Sequence, residues 1–394
     1  MIRRRFLPLA VLALSTLFAI AGLVIATHSG WGAFRGQNGK TSRQSSLPRQ
    51  RTLLATRGSI DAFAQDGGQI AWLAGTCPGR VKIRTLATGR QATVGKGNLW
   101  GEHCLENQTA AIPFALGGSR VVWGGFDSGG HSGYGGVATS VPGERSAHLE
   151  NLTWQHHFWG DYLAGAAGDG PTLVYATAVV THIPENDDKC GQAPFCVFTV
   201  VGGGVKRGIG RTAVALVGAP PAVRVAVSSG RVALVPADRR SWRGRGPLPL
   251  RDGIPRPAPN GPVEIREAET GVVAAQFSPK GNVIAVALAD RFSVVLVQGA
   301  AAKRIERRDS NTGRLLGSMA VPPETANKLS IAGASVIYRV GREIRLLDAA
   351  TGRTFLLAVA KATPVGLSIE GRRVAWAENL SKTRARIQEI TLPD

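Results

Sequence analysis

Four cysteines, seven histidines and a sparse set of carboxylates are the side chains of this 394-residue sequence best able to hold metal, attack a substrate or move protons. The cysteines are Cys77, Cys104, Cys190 and Cys196, and His103 adjoins Cys104. That neighbour raises zinc as a reading. However, no Cys-x-x-Cys pair is present, and the five residues between Cys190 and Cys196 are not the usual ligand spacing. Four cysteines allow three pairings. Cys77–Cys104 and Cys190–Cys196 close short loops and leave none over, so these two disulfides are expected, with no metal and no cofactor.

Asp127-Ser128-Gly129-Gly130 resembles the stretch around a trypsin-like serine. Such an enzyme also needs a histidine and a second aspartate held by a different fold. No matching histidine segment lies upstream, and a glycine-rich loop is the better reading. There is no Gly-x-Ser-x-Gly elbow, His-Glu-x-x-His motif or phosphate-binding Walker loop. Trp154-Gln155-His156-His157-Phe158-Trp159 is the most unusual segment. As a strand it places Trp154, His156 and Phe158 on one face and His157 on the other, a poor metal pair. On an innermost strand it would aim a histidine at a channel; a packed aromatic strand is the plainer reading. Trp100 and His103 would share that rim. With Trp154, His156, Arg243 and Arg245 they are the candidate binding residues. Asn107, Asn151 and Asn379 each head an Asn-x-Ser/Thr string, which matters only where a host glycosylates it.

Basic residues outnumber acidic ones 47 to 27, for a net charge of +20. Arg239, Arg240, Arg243, Arg245, Arg251 and Arg256 form the densest basic stretch, in a proline- and glycine-rich run that reads as an exposed loop. Anionic wall polymer suits such a loop. Nucleic acid is not expected as a partner, because no recognisable nucleic-acid module accompanies the charge.

The amino terminus sets the expected compartment. Arg3, Arg4 and Arg5 precede an uncharged apolar run from Phe6 to Ala26. As a helix this run would be about 31 Å long, enough to cross a bilayer with the arginines inside. Residues 1–27 therefore read as a signal peptide or membrane anchor, 28–50 as a flexible basic linker, and 51–394 as an exported domain. Disulfides fit that oxidising destination. The expected location is extracytoplasmic, either secreted or held to the plasma membrane by one helix.

The positioning elements are strands. Fifty glycines point to many tight turns, and from residue 52 onward a pattern recurs. A glycine turn leads into an apolar segment, and a further strand ends in Thr-Gly. The first turns fall at Gly67, Gly118, Gly160, Gly230, Gly281, Gly333 and Gly371, spaced 51, 42, 70, 51, 52 and 38 residues apart. Thr-Gly turns fall at Gly89, Gly271, Gly313 and Gly352, and weaker third strands at 137–144 and 197–204. Units of this length match four-stranded propeller blades, with insertions at 182–194 and 237–261. An all-β, seven-bladed β-propeller is expected, with six or eight blades as alternatives. The last unit supplies only three strands, and Arg51 to Thr56 is expected to supply the fourth and cover the open edge.

Gln276-Phe277-Ser278-Pro279-Lys280-Gly281-Asn282 resembles the Phe-Ser-Pro-Asp-Gly turn of WD40-like and TolB-like propeller repeats, and Asp348 to Arg353 resembles their following turn. The separate amino-terminal domain of TolB has no counterpart here, so its role in envelope complexes is not carried over. The Trp-Asp signature of WD40 repeats is also absent. The expected function is a non-enzymatic binding or scaffold module, since propellers present loops around a channel where partners dock without chemistry; a monomer is expected, with another envelope protein or wall polymer as partner. A propeller lyase or glycan hydrolase is the alternative. It would need clustered carboxylates at strand ends, and no acidic pair recurs at a blade-equivalent position.

Overall fold

The structure is a computed structural model that describes residues 48–75, 79–96, 113–129, 132–155, 159–180, 195–201, 204–211, 224–235 and 262–393. Segment 1–27 and most of the linker lie outside the described residues. Among the described residues no helix is long and apolar enough to cross a membrane.

Among the described residues, twenty-eight strands form seven antiparallel meanders. Blade one is β2 (Ile60–Asp66), β3 (Gln69–Ala74), β4 (Arg80–Thr85) and β5 (Gln91–Lys96). Blade two is β6 (Phe114–Gly117), β7 (Arg120–Gly129), β8 (Ser132–Ser140) and β9 (Ala147–Gln155). Blade three is β10 (Trp159–Asp169), β11 (Thr172–Val180), β12 (Phe195–Val201) and β13 (Gly204–Arg211). Blade four is β14 (Arg224–Ser228), β15 (Arg231–Val235), β16 (Val263–Glu267) and β17 (Val273–Phe277). Blade five is β18 (Asn282–Leu288), β19 (Phe292–Gln298), β20 (Lys303–Asp309) and β21 (Leu315–Val321). Blade six is β22 (Ser330–Ala332), β23 (Ser335–Val340), β24 (Glu343–Asp348) and β25 (Thr354–Val359). Blade seven is β26 (Pro364–Glu370), β27 (Arg373–Ser381) and β28 (Arg384–Thr391), completed on its outer edge by β1 (Arg51–Arg57). The expected closure is thus observed. Gln388 donates from Nε2 to Thr52 Oγ1 at 2.7 Å, and Arg51 pairs with Glu389.

Apolar residues alternate between the two neighbours of each blade, and this alternation turns separate sheets into a ring. Ile70 and Trp72 pack toward blade seven, whereas Ala71 and Leu73 pack toward blade two. Val232 and Leu234 face blade three, and Ala233 and Val235 face blade five. Among the described residues the result is seven buried clusters, one at each interface between blades, including that between blades seven and one. Sheets covered on both faces explain why the second strands read as nearly continuous apolar runs.

Three expectations need correction. Gly160 lies inside β10, and the hairpin turn of blade three is at Gly170, 52 residues after Gly118. The apolar run after Gly160 is therefore an inner strand. Gly281 likewise precedes the inner strand β18, and the hairpin turn of blade five lies around Asp290 without a glycine. Finally, Asp127, Ser128 and Gly129 belong to β7, where they pair with Tyr134, Gly133 and Ser132 in a long hairpin and not in a loop.

Candidate functional site

Each inner strand touches the inner strands of both neighbouring blades, and together they enclose a central cavity of about 830 Å³. The inner strands β2, β6, β14, β18, β22 and β26 are sheet edges. A sheet edge leaves alternate backbone N–H and C=O groups without a strand partner. Such groups, interspersed with small side chains such as Ala64, Ala115, Ala166 and Ala287, line much of the channel wall.

Acidic residues end three inner strands, each just before its turn glycine: Asp66-Gly67, Asp169-Gly170 and Glu370-Gly371. An acidic residue therefore does recur at a blade-equivalent position, and the acid–glycine dipeptide is the signal that reveals it. The geometry shows why. Asp66 Oδ2 accepts from Gly118 N at 2.5 Å and Gly170 N at 2.9 Å, while Asp169 Oδ2 accepts from Ser229 N at 2.9 Å. Glu370 Oε1 accepts from Gly68 N at 2.9 Å, and its other oxygen pairs with Arg373. These carboxylates staple the hairpin turns of blades seven, one, two, three and four together at one rim. Arg231 continues the chain of contacts into blade five, reaching Asn311 Oδ1 at 2.7 Å and the carbonyl of Asp290 at 2.5 Å. Burial raises the pKa of the Asp66 carboxyl above the usual aspartate value. The charges of Asp169 and Glu370 add to that rise, and the two glycine N–H groups oppose it.

Lys328 stands at the inner end of the same cavity, two residues before β22. Its side chain is open to channel solvent yet surrounded by protein, and this desolvation lowers its pKa below the ordinary lysine value. Among the described residues, no carboxylate pairs with it.

The Thr-Gly turns prove structural. Asp309 Oδ1 accepts from the backbones of Asn311 and Thr312 at 3.0 and 2.8 Å, and from the Thr312 hydroxyl at 2.9 Å. Asp348 repeats the arrangement with Ala350 and Thr351. Arginines on the preceding strands brace two of these turns: Arg266 Nη1 donates to Gly271 O at 2.8 Å, and Arg308 Nη1 to Gly313 O at 2.9 Å.

Of the binding residues singled out in the sequence, Trp154 is the one that the described residues include. Trp154 lies on β9, the outermost strand of blade two, and not on an inner strand. It pairs with Gly160 and helps fuse blades two and three into one eight-stranded sheet. Trp100, His103, His156, Arg243 and Arg245 lie outside the described residues, as do Cys77, Cys104 and Cys190. Cys196 is placed by its backbone in β12, opposite Thr177. Both expected disulfides thus fall outside the described side chains, and the described residues contain no group of three or more His, Cys, Asp or Glu side chains arranged to hold a metal.

Solved structures with the same architecture include a chain from the crystal structure of the Mitotic Checkpoint Complex. It is 8% identical, covers 91% of this chain and 99% of its own length, and gives a TM-score of 0.51. Sqt1 of Saccharomyces cerevisiae is 9% identical over 88% of this chain and 100% of its own, at a TM-score of 0.46. The computationally designed Ika8 protein is 14% identical over 86% and 98%, at 0.45. No family model and no curated protein matches the sequence. The class defined is a seven-bladed β-propeller. At these identities the likeness concerns the fold alone.

Proposed function

We propose that this chain is a non-enzymatic binding module of the cell envelope, exported or anchored by residues 1–27, with TolB-like repeats presenting the channel and its rim to a partner. One observation carries the non-enzymatic reading. The rim carboxylates, which an acid–base enzyme would need free, are engaged as acceptors for backbone N–H groups of neighbouring blades. The basic segment before the apolar run supports export. Another envelope protein or an anionic wall polymer is the partner class that fits the net charge of +20.

Fractionation of cells expressing the full chain and a chain lacking residues 1–27 tests the placement. The full chain is expected in the envelope or medium and the shortened one in the cytoplasm. Equal cytoplasmic recovery of both would overturn it.

A further inference from the structure

Charged groups of both signs line the channel, Asp290 and Arg291 of the blade-five hairpin among them. Asp66, Asp169 and Glu370 stand at the hairpin rim, and of the three Glu370 pairs with an arginine. At the inner end Lys328 reaches the cavity without a carboxylate partner among the described residues. The lysine that reaches the adjacent Asn327 does have partners: Lys303 Nζ donates to Thr325 O at 2.7 Å and Asn327 Oδ1 at 3.1 Å. The described bonds to Asp66 and Asp169 use Oδ2, which leaves Oδ1 of each outside the stapling.

We propose that this channel is a receptor for a small zwitterion of the amino-acid class, its carboxylate on the Lys328 ammonium and its own ammonium toward Asp66 and Asp169. This deepens the binding reading and rests on it. Protein around an unpaired ammonium has already removed part of its hydration, so an incoming carboxylate meets a site whose desolvation cost belongs to the fold. A singly charged ligand satisfies one kind of group; a molecule carrying both charges, correctly spaced, satisfies the Lys328 ammonium and the rim carboxylates together. Lys328 lies five positions before the turn glycine Gly333, about 16 Å along an extended chain. The lysine stem takes up part of that, leaving on the order of 10 Å between the two charges. Free N–H and C=O groups on the strand edges supply hydrogen bonds along the way. The cavity of about 830 Å³ lies within the range that holds small ligands.

Calorimetric titration of the full chain with 6-aminohexanoate, hexanoate and hexylamine tests the assignment. The zwitterion is expected to bind about tenfold or more tightly than either singly charged analogue. Lys328→Met should erase the advantage over hexylamine, and Lys328→Arg should retain most of it. Thermal melting of both variants should match that of the parent, which separates loss of the site from loss of fold. Equal binding of all three compounds, unchanged binding in Lys328→Met, or no binding by the parent would overturn the assignment. A chain that binds none of the three but still reaches the envelope and holds a macromolecular partner there would sink this inference while leaving the module reading intact.

Discussion

Asn379 and Ile60 lie 319 residues apart in sequence and are joined by two hydrogen bonds. Ile60 N donates to Asn379 Oδ1 at 2.8 Å, and Asn379 Nδ2 donates to Ile60 O at 3.0 Å. One side-chain amide thus acts as an extra strand residue, holding the first inner strand to blade seven. Both polar atoms of the amide are engaged, so the Asn379-Leu380-Ser381 string has a structural use that a glycan on Nδ2 would disrupt. Asn379→Ala leaves both backbone groups of a fully buried residue without that partner. It should cost about 1–3 kcal/mol. Asn379→Asp keeps an acceptor, loses the donor and sets a charge against a carbonyl, so it should also destabilise. Urea unfolding reads both; unchanged midpoints would show that the clamp is not a stabilising contact.

Ring closure by β1 gives a second expectation. β1 covers the exposed edge of β28, and without it blade seven has three strands. A chain beginning at Ile60 should lose cooperative thermal unfolding, and its open edge should promote association. Calorimetry beside light scattering checks this. A melt matching the full chain would mean that closure rests on the packing between blades seven and one.

Most of the architecture was legible because propeller hairpins demand positive φ, which glycine supplies at Gly67, Gly118, Gly230, Gly333 and Gly371. Misreadings occurred where that coupling breaks. The turn of blade five lacks a glycine, while Gly281, at φ 117°, marks the approach to an inner strand. In blade three, Gly160 lies within β10, paired with Trp154, and the hairpin turn falls at Gly170. Closure was legible from strand arithmetic. The rim staples were harder to see because their partners are backbone N–H groups, which leave no trace in residue type. Lys328 carries no motif at all. Its isolation arises only when seven distant segments converge.

Asp66 makes the stapled rim sensitive to pH. Its carboxyl lies above the unfolded aspartate value of 3.8, first through burial and then through Asp169 and Glu370. For an acid raised in this way, the linked stability is fully present below about pH 4 and is lost as pH rises through the folded pKa. Asp66→Asn keeps an acceptor for Gly118 and Gly170 without the charge. Its stability relative to the parent should therefore improve between about pH 4 and neutrality. Asp66→Ala strands both N–H groups and should lose about 1–3 kcal/mol. Denaturation series across that pH range check the sign, and a pH-independent difference between Asp66→Asn and the parent would remove Asp66 as the titrating group.

Gly95 and Trp123 carry the last expectation. Trp123 is fully buried at the interface between blades one and two, and its ring lies over the outer strand β5. A Cβ placed on Gly95 would stand 2.4 Å from Trp123 Cζ2 and 2.7 Å from Cη2. No real packing tolerates that distance, so either the ring or the strand must move. The ring is hemmed in by Val121, Leu116 and Ile83, which makes movement of the strand the cheaper response. Gly95→Ala should cost about 1–3 kcal/mol through overpacking. Trp123→Phe should cost a comparable amount by opening a cavity. Together they should cost less than the sum, because the smaller ring vacates the space that the new methyl needs. Coupling between contacting residues is typically about 0.5–3 kcal/mol, large enough to resolve in a double-mutant cycle by chemical denaturation. Strict additivity would mean that the glycine is required by the backbone of β5 and not by the tryptophan above it.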